Sequence, residues 1–334
     1  MLAPVVAANP KRTMRAIVQD GYGSPDVLQL REIDRPVVAD DRVLVRVRAA
    51  SVNAADCHVI HLPLPARVLF GLRKPKVPVR GFDLSGHVEA VGKSVTRFKP
   101  GDEVFGHASG TFAEYASARE DRLVTKPRGL TFEQAAAVPV AGTTALQGLR
   151  DKAGVRPGQH VLIYGAGGGV GTFAVQVAKA LGAHVTAVTS TRNLDLIRSL
   201  GPDEVIDYMR DDFTSPGKRY DVFFDIAANR SLSACRRVLA PNGTFVVAGA
   251  AKGGTGAVLR RMFAAFALSR FVSQRIVTFM ARVCLEDLAV LKELIEAGTL
   301  SPVIDRTYSL RQVPDAVRYL AGGHARAKVV INVS

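Results

Sequence analysis

The residues with the clearest chemical purpose are Val161-Leu162-Ile163-Tyr164-Gly165-Ala166-Gly167-Gly168-Gly169-Val170-Gly171. The apolar run before the glycines predicts a strand. Thr172 to Leu181 then predicts a helix, and Gly182 leads into the next strand. A dinucleotide-binding βαβ unit of about 30 residues has this form. One glycine turns the chain sharply, one leaves room for a pyrophosphate, and one lets helix and strand pack closely. The unpaired N–H groups at the helix start attract the phosphate charge. Here the spacing is Ala166-x-Gly168-x-x-Gly171, with Ala in place of the usual first Gly. A glycine run alone also fits a flexible surface loop. The strand–turn–helix–strand context makes Ala166, Gly167, Gly168, Gly169, Val170 and Gly171 candidate cofactor contacts.

The end of the second strand selects the dinucleotide. An NAD site usually places Asp or Glu about 20 residues on, against the ribose hydroxyls. The chain instead reads Val188-Thr189-Ser190-Thr191-Arg192-Asn193, with no acid until Asp195. A carboxylate would repel the 2′-phosphate of NADPH, whereas Ser190 and Arg192 suit it through charge-assisted hydrogen bonds. A solvated helix start capped by Thr191 would use the same residues. NADPH is the expected cofactor, with Ser190, Arg192 and Asn193 as its contacts. Rival constellations are missing from the sequence: no Tyr-x-x-x-Lys, no Gly-x-Ser-x-Gly, no His-Glu-x-x-His and no Walker loop.

The surrounding elements change character along the chain. Val43 to Arg48 alternates apolar and basic side chains, as a half-buried strand does. Gly86 to Gly92 and Asp102 to Gly106 predict further short strands around the Phe-Lys-Pro-Gly turn at 98–101. Strands this close, without long helices, suggest a compact β-rich barrel. Thr131 and Gln134 form a capping box for a helix through Ala135 to Val138 that Pro139 interrupts. Beyond His160, five nearly all-apolar strands alternate with helices: 161–164, 185–188, 205–208, 222–226 and 245–247. Such runs suit a parallel sheet covered on both faces. A helix from Leu285 to Ala297, ended by Gly298, and a strand from Lys328 to Val333 complete the chain.

Composition limits the class. The 334 residues suggest about two domains. With 48% hydrophobic and 22% charged residues, a disordered or collagen-like chain is excluded. The net charge of +14 suits an anionic ligand, nucleic acid or an acidic membrane surface. Cys57, Cys235 and Cys284 lie too far apart for a zinc knuckle or disulfide framework, so a reducing cytoplasm is expected. No apolar run reaches the roughly 18 residues that span a bilayer. Residues 1–13 are expected to be a loose extension without leader character, and Met14 is a second candidate start.

Several linked motifs resemble one family. Residues 78–92 (Pro-Val-Arg-Gly-Phe-Asp-Leu-Ser-Gly-His-Val-Glu-Ala-Val-Gly) and 98–106 are similar to the N-terminal barrel of medium-chain dehydrogenases/reductases. Residues 137–145 (Ala-Val-Pro-Val-Ala-Gly-Thr-Thr-Ala) and the glycine loop resemble the quinone oxidoreductase, zeta-crystallin-like, branch. The resemblance runs from Met14 to Val333. It implies an α/β fold: a GroES-like β-barrel over 14–137, completed by 284–334, and a Rossmann doubly wound parallel sheet over 138–283. It also implies a cleft between them and a homodimer.

In zinc-dependent relatives a Cys follows the first barrel strands and a Gly-His-Glu comes later. Here Ala50-Ser51-Val52-Asn53-Ala54-Ala55-Asp56 and Gly81-Phe82-Asp83 stand in those places, and the cysteine-rich lobe is missing. A metal is therefore not expected, since catalytic zinc needs about three protein ligands. The neighbours Cys57, His58 and His61 lack a second cluster, and Cys57 reads as a small buried residue. Without a Lewis acid, hydride transfer favours an electron-poor acceptor, a quinone or an α,β-unsaturated carbonyl.

The resemblance further implies that Asn53 and Asp56 lie at the cleft and Thr143 beside the nicotinamide. Tyr208 would approach the 2′-phosphate, and Ala248 and Gly249 would hold the carboxamide. His58 stands where some relatives carry a Tyr that helps bind or protonate substrate, and an imidazole is a competent donor. A structural or surface histidine is the alternative. Asp83 fits a cleft carboxylate or a turn cap equally well. The basic–apolar stretches 256–282 and 62–76 suggest a lipophilic acceptor, a dimer interface or peripheral membrane contact. The competing function is a catalytically idle NADPH-binding protein docked on nucleic acid or an acidic surface.

Overall fold

The computed structural model describes residues 13–215, 217–248, 273–323 and 325–333. The extension before Thr13, Gly249, His324, and Phe263 and Phe266 of the basic–apolar segment lie outside the described residues.

Two sheets carry the architecture. The first is built on a long strand, β3 (Arg42–Val52), which pairs antiparallel with β4 (Asp83–Val91). Beyond β4 follow β5 (Glu103–His107) and β7 (Leu123–Thr125), while β6 (Tyr115–Arg119) pairs back onto β3. The chain's last strands, β14 (Ile304–Ser309) and β15 (Lys328–Asn332), extend the same sheet, with β15 antiparallel to β3. Val45, Leu84, Val104, Leu123 and Ile331 fill this barrel's interior. A two-stranded ribbon, β1 (Thr13–Gln19) with β2 (Leu28–Asp34), lies outside that sheet.

The second sheet is wholly parallel. Its strands are β8 (His160–Tyr164), β9 (His184–Thr189), β10 (Glu204–Asp207), β11 (Tyr220–Asp225), β12 (Leu239–Val247) and β13 (Arg275–Thr278). They run in the order β10-β9-β8-β11-β12-β13. That is the 3-2-1-4-5-6 order of a Rossmann sheet, whose reversal beside the first strand opens a crevice for a dinucleotide. Val161, Ile163, Val185 and Phe224 are fully buried, as strands covered on both faces require. The sixth strand departs from the sequence reading. Its Arg275-Ile276-Val277-Thr278 belongs to the basic–apolar stretch read as a cover or contact segment, yet it pairs with β12 as the last strand of the sheet among the described residues.

Pro139 also differs from expectation. The capping box at Thr131 and Gln134 is formed in both directions, and helix α3 (Phe132–Ala136) follows it. Pro139 then occupies the first turn of a new helix, α4 (Pro139–Leu146), rather than only ending the old one. Proline suits that place because a first-turn N–H has no partner within the helix anyway. Further on, α8 (Leu285–Glu296) directs Leu288, Leu291 and Ile295 into the core shared with the parallel sheet.

Candidate active site

The glycine turn links β8 to helix α5 (Gly169–Ala180). Gly165 makes the turn with φ of +91°. A Cβ on Gly167 would lie 2.3 Å from Asn193 Nδ2 and 2.7 Å from Thr189 Oγ1. A Cβ on Gly171 would lie 2.2 Å from the Gly165 carbonyl oxygen, so this position sets the close helix–turn packing. Gly168 differs, because the nearest protein atom to its Cβ position is 3.5 Å away. Its open side is the one a pyrophosphate needs. Ala166 is fully buried in the core, which explains how Ala serves at the first fingerprint position.

The second strand brings Ser190, Arg192 and Asn193 to the same end of the sheet. Asn193 is buried, its Nδ2 is 3.4 Å from Ser190 Oγ, and its Oδ1 has no partner among the described residues. Arg192 is exposed, and the Tyr208 N–H donates to the Thr189 carbonyl. Across the sheet the Ala248 N–H donates to the Asp225 carbonyl. Thr143, on α4, is fully buried with an unpartnered Oγ1. Two buried orphan oxygens, an open Gly168 and the first-turn N–H groups of α5 fit a dinucleotide.

Sequence reading missed Asp207, which reaches this corner from β10. It accepts hydrogen bonds from Thr191 Oγ1 at 2.5 Å and from the Met209 N–H. The Thr191 hydroxyl chiefly holds its carboxyl below the usual range, so the site contains a permanent negative charge. Its chain position, one strand beyond the usual acid, hid it.

A second cluster lies under helix α1 (Ala54–Ile60). Asp83, completely buried, accepts from Ser51 Oγ at 2.8 Å and Asn53 Nδ2 at 2.9 Å on Oδ2. Its Oδ1 accepts the Val140 N–H at 3.1 Å, in the first turn of α4. Asp83 thus ties β3, β4 and α4 together from the interior, and its bond to the Val140 N–H caps the start of α4. Lys328 completes the group: its Nζ donates to Asn53 Oδ1 at 2.7 Å and stands 3.6 Å from Asp83 Oδ2. Burial pushes the Lys328 ammonium below its ordinary value, while the charges of Asp83 and Asp56 pull it back up.

Asp56 is buried in the same place. Its Oδ2 accepts the Asn53 N–H at 2.8 Å and its Oδ1 has no partner among the described residues. Burial pushes its carboxyl up to about 7. His58, two residues on, is exposed and outside this cluster, and burial with the neighbouring His61 lowers its imidazole. The Cys57 thiol is pushed up to about 12 by burial, with its Sγ 3.9 Å from the Val317 carbonyl.

The two clusters are joined directly. The Ala327 N–H donates to the Gly167 carbonyl at 2.9 Å, and the Lys328 side chain packs beside Gly169, whose Cβ position is 3.1 Å from Lys328 Cδ. Ala327 takes φ of +55° to do so, a left-handed conformation that costs a non-glycine residue about 1–2 kcal/mol.

Comparison with known proteins agrees with this geometry. Residues 39–128 match the alcohol dehydrogenase GroES-like domain and 200–331 the zinc-binding dehydrogenase family model. A chloroplastic quinone-oxidoreductase homolog of Spinacia oleracea is 34% identical over 96% of this chain and 98% of its own length. The chain belongs to the quinone oxidoreductase branch of the medium-chain dehydrogenases/reductases. An NADPH-dependent alkenal/one oxidoreductase of Arabidopsis thaliana is also 34% identical, over 97% of this chain and 81% of that protein. The solved quinone oxidoreductase of Coxiella burnetii superposes with a TM-score of 0.84 at 30% identity, covering 97% of this chain and all of that one.

One family model is named for zinc, and the residues here do not fit that ion. Among the described residues no group of three His, Cys, Asp or Glu side chains converges on one point. Phe82 stands where the Gly-His-Glu of zinc-dependent relatives has its His, and Asn53 and Asp83 already bind each other and the Lys328 ammonium. A resident cation of the protein's own holds the place where a metal would have to compete.

Proposed function

We propose that this chain is an NADPH-dependent reductase that delivers hydride to a lipophilic quinone or α,β-unsaturated carbonyl without a metal. The observation that carries the reading is the Ala327–Lys328 bridge, which ties the dinucleotide turn to the buried Asn53–Asp83 pair. Ala166 to Gly171 would hold the pyrophosphate, with Ser190, Arg192, Asn193 and Tyr208 around the adenosine ribose. Arg192 supplies a guanidinium for a 2′-phosphate, while Arg210, 3.7 Å from Asp207, offsets that carboxylate. Thr143 and Ala248 would meet the nicotinamide end, where Thr143 Oγ1 has a hydrogen bond to give.

Bound there, NADPH supplies the hydride. The protein supplies orientation and a polar frame that is already ordered before reaction. The buried Lys328 charge lies beside the proposed cleft and favours negative charge developing on a carbonyl oxygen as hydride arrives. Asp56 retains a proton close to neutral pH and is our candidate donor behind Asn53. Exposed His58 is the second candidate, exchanging protons with solvent. Named relatives that are quinone and alkenal/one oxidoreductases support the substrate class.

Exposed Leu64, Val68 and Leu72, next to Arg67 and Arg73, support a lipophilic acceptor and peripheral contact with an anionic membrane. Among the described residues β13 ends the parallel sheet, which supports pairing with a second copy in a homodimer. Cys57 and Cys235 are buried and form no disulfide among the described residues, which supports a reducing cytoplasm. Among the described residues no helix is long and apolar enough to cross a membrane. We place the barrel unit at 14–137 with 284–334 and the dinucleotide unit at 138–283.

The test is acceptor-dependent consumption of NADPH, before and after dialysis against a chelator, with NADH alongside. The reading expects turnover with quinones or enones that survives the chelator. Tight NADPH binding with no turnover on any acceptor would instead favour the idle binding protein, and salt-dependent nucleic-acid titration would follow.

A further inference from the structure

A cavity of about 400 Å³ adjoins the buried cluster. His107 and Val140 form its inner wall. Both touch the Asp83 neighbourhood, since His107 pairs with Asp83 across β4 and β5 and Val140 donates its N–H to the carboxylate. Arg42, Arg119, Arg122 and Arg282 are among the residues that line the rest, and no Asp or Glu is.

The four guanidinium groups are not equally engaged. Arg119 grips Asp121 with two hydrogen bonds of 3.0 Å, and Arg42 stands 3.5 Å from Asp41. The acid nearest to Arg122 is the same Asp121, at 3.7 Å, already taken by Arg119. Arg122 is 17% exposed and makes no side-chain hydrogen bond to the described residues. The Arg282 backbone is tied to Gln147, but its guanidinium has no carboxylate within ion-pair distance among the described residues. A guanidinium has five donors, and Arg122 and Arg282 bring theirs to the cavity wall without a hydrogen-bonded carboxylate among the described residues. The bidentate partner that fits such a fork is a carboxylate or phosphate. His107 adds no positive charge, because burial first, and then Arg122, lowers its imidazole, against the pull of Asp83.

We propose that the acceptor carries an oxyanion, a carboxylate or phosphate, received by Arg122 and Arg282 while its conjugated carbonyl lies toward the Asp83 cluster. The inference rests on the reductase reading and narrows its substrate to an amphipathic acceptor. Ala108, Val140 and Val283 supply apolar wall between the two ends.

The experiment compares kcat/KM for a medium-chain 2-enal ending in a carboxylate with that for its methyl ester. A phosphate monoester and its parent alcohol form a second pair, at low and high salt. The proposal expects a preference of about tenfold or more for one charged acceptor at low salt, weakening as salt rises. Arg122→Leu and Arg282→Leu, the latter at an exposed position, each lower that preference about fivefold or more. An ester reduced as well as its acid, or a preference that both variants retain, overturns it. Calorimetry with the saturated, non-reducible carboxylate on the NADPH-bound protein separates the two readings. Arg122-dependent binding without turnover of any acceptor defeats the reductase and keeps the anion site. Turnover of the ester with no binding of the carboxylate does the reverse.

Discussion

Lys328 Nζ reaches Asn53 Oδ1 at 2.7 Å across 275 residues of chain. The contact places one ammonium over an amide and a carboxylate that are both buried, and its backbone neighbour is bonded to the dinucleotide turn. Removing the cation leaves Asp83 charged and uncompensated in the interior. Lys328→Met should therefore cost about 3–5 kcal/mol in urea unfolding. Lys328→Met with Asp83→Asn should recover a large part of that loss, because the stranded charge is gone. Additive losses in the double variant would show that the two side chains act independently.

Asp56 makes stability depend on pH in a defined window. Its carboxyl is raised from 3.8 to about 7 on folding. Below about pH 4 both states hold the proton, and the contribution is complete. Between about 4 and 7 the unfolded chain releases a proton that the folded one keeps, so stability falls as pH rises. Asp56→Asn mimics the protonated acid and removes that slope. Thermal unfolding of the Asn variant should gain on wild type steadily from pH 4 to pH 7, and parallel profiles would contradict the assignment.

Two glycines of the same turn should fail differently. Gly171→Ala drives a methyl to 2.2 Å from the Gly165 carbonyl oxygen and should lower the melting temperature. Gly168→Ala meets nothing closer than 3.5 Å in the protein, at a backbone φ of −90° that alanine adopts freely. It should unfold like wild type yet bind NADPH about tenfold or more weakly, because its methyl enters the pyrophosphate's space. Isothermal titration beside thermal melts distinguishes the two.

Arg192→Ala should reduce kcat/KM for NADPH by about 10–100-fold and leave that for NADH nearly as it was, since the guanidinium serves the 2′-phosphate. Asp207 keeps its own cation, Arg210 at 3.7 Å, so the variant removes the phosphate's partner without freeing that carboxylate. Equal losses with both dinucleotides would remove Arg192 from the discriminating role.

The dinucleotide half was legible because its signals are local. Apolar strands and a glycine turn follow one another in βαβ units, and they marked five of the six described strands of the parallel sheet, all but β13. That strand carries Arg275 and sits on a sheet edge, so it lacks the all-apolar signature of its neighbours. The second cluster was only half legible. Asn53 and Asp56 were found by resemblance, but Lys328 read simply as the start of Lys-Val-Val-Ile-Asn. The available signal was a charge opening a strand otherwise too apolar to face water, since a buried lysine must have a partner. Its partners Asn53 and Asp83 are distant in sequence, and no periodicity connects them. His58 lies two residues along the helix from Asp56, which turns its side chain to another, exposed face, a difference that resemblance alone did not reveal.

The most direct test of the account is single-turnover oxidation of bound NADPH by a benzoquinone, a naphthoquinone, a short enone, a long-chain 2-enal and a simple ketone. The account predicts fast oxidation by at least one quinone or enone, none by the ketone, and the same rates after chelator treatment. Oxidation by the simple ketone that zinc restores after chelation would contradict it.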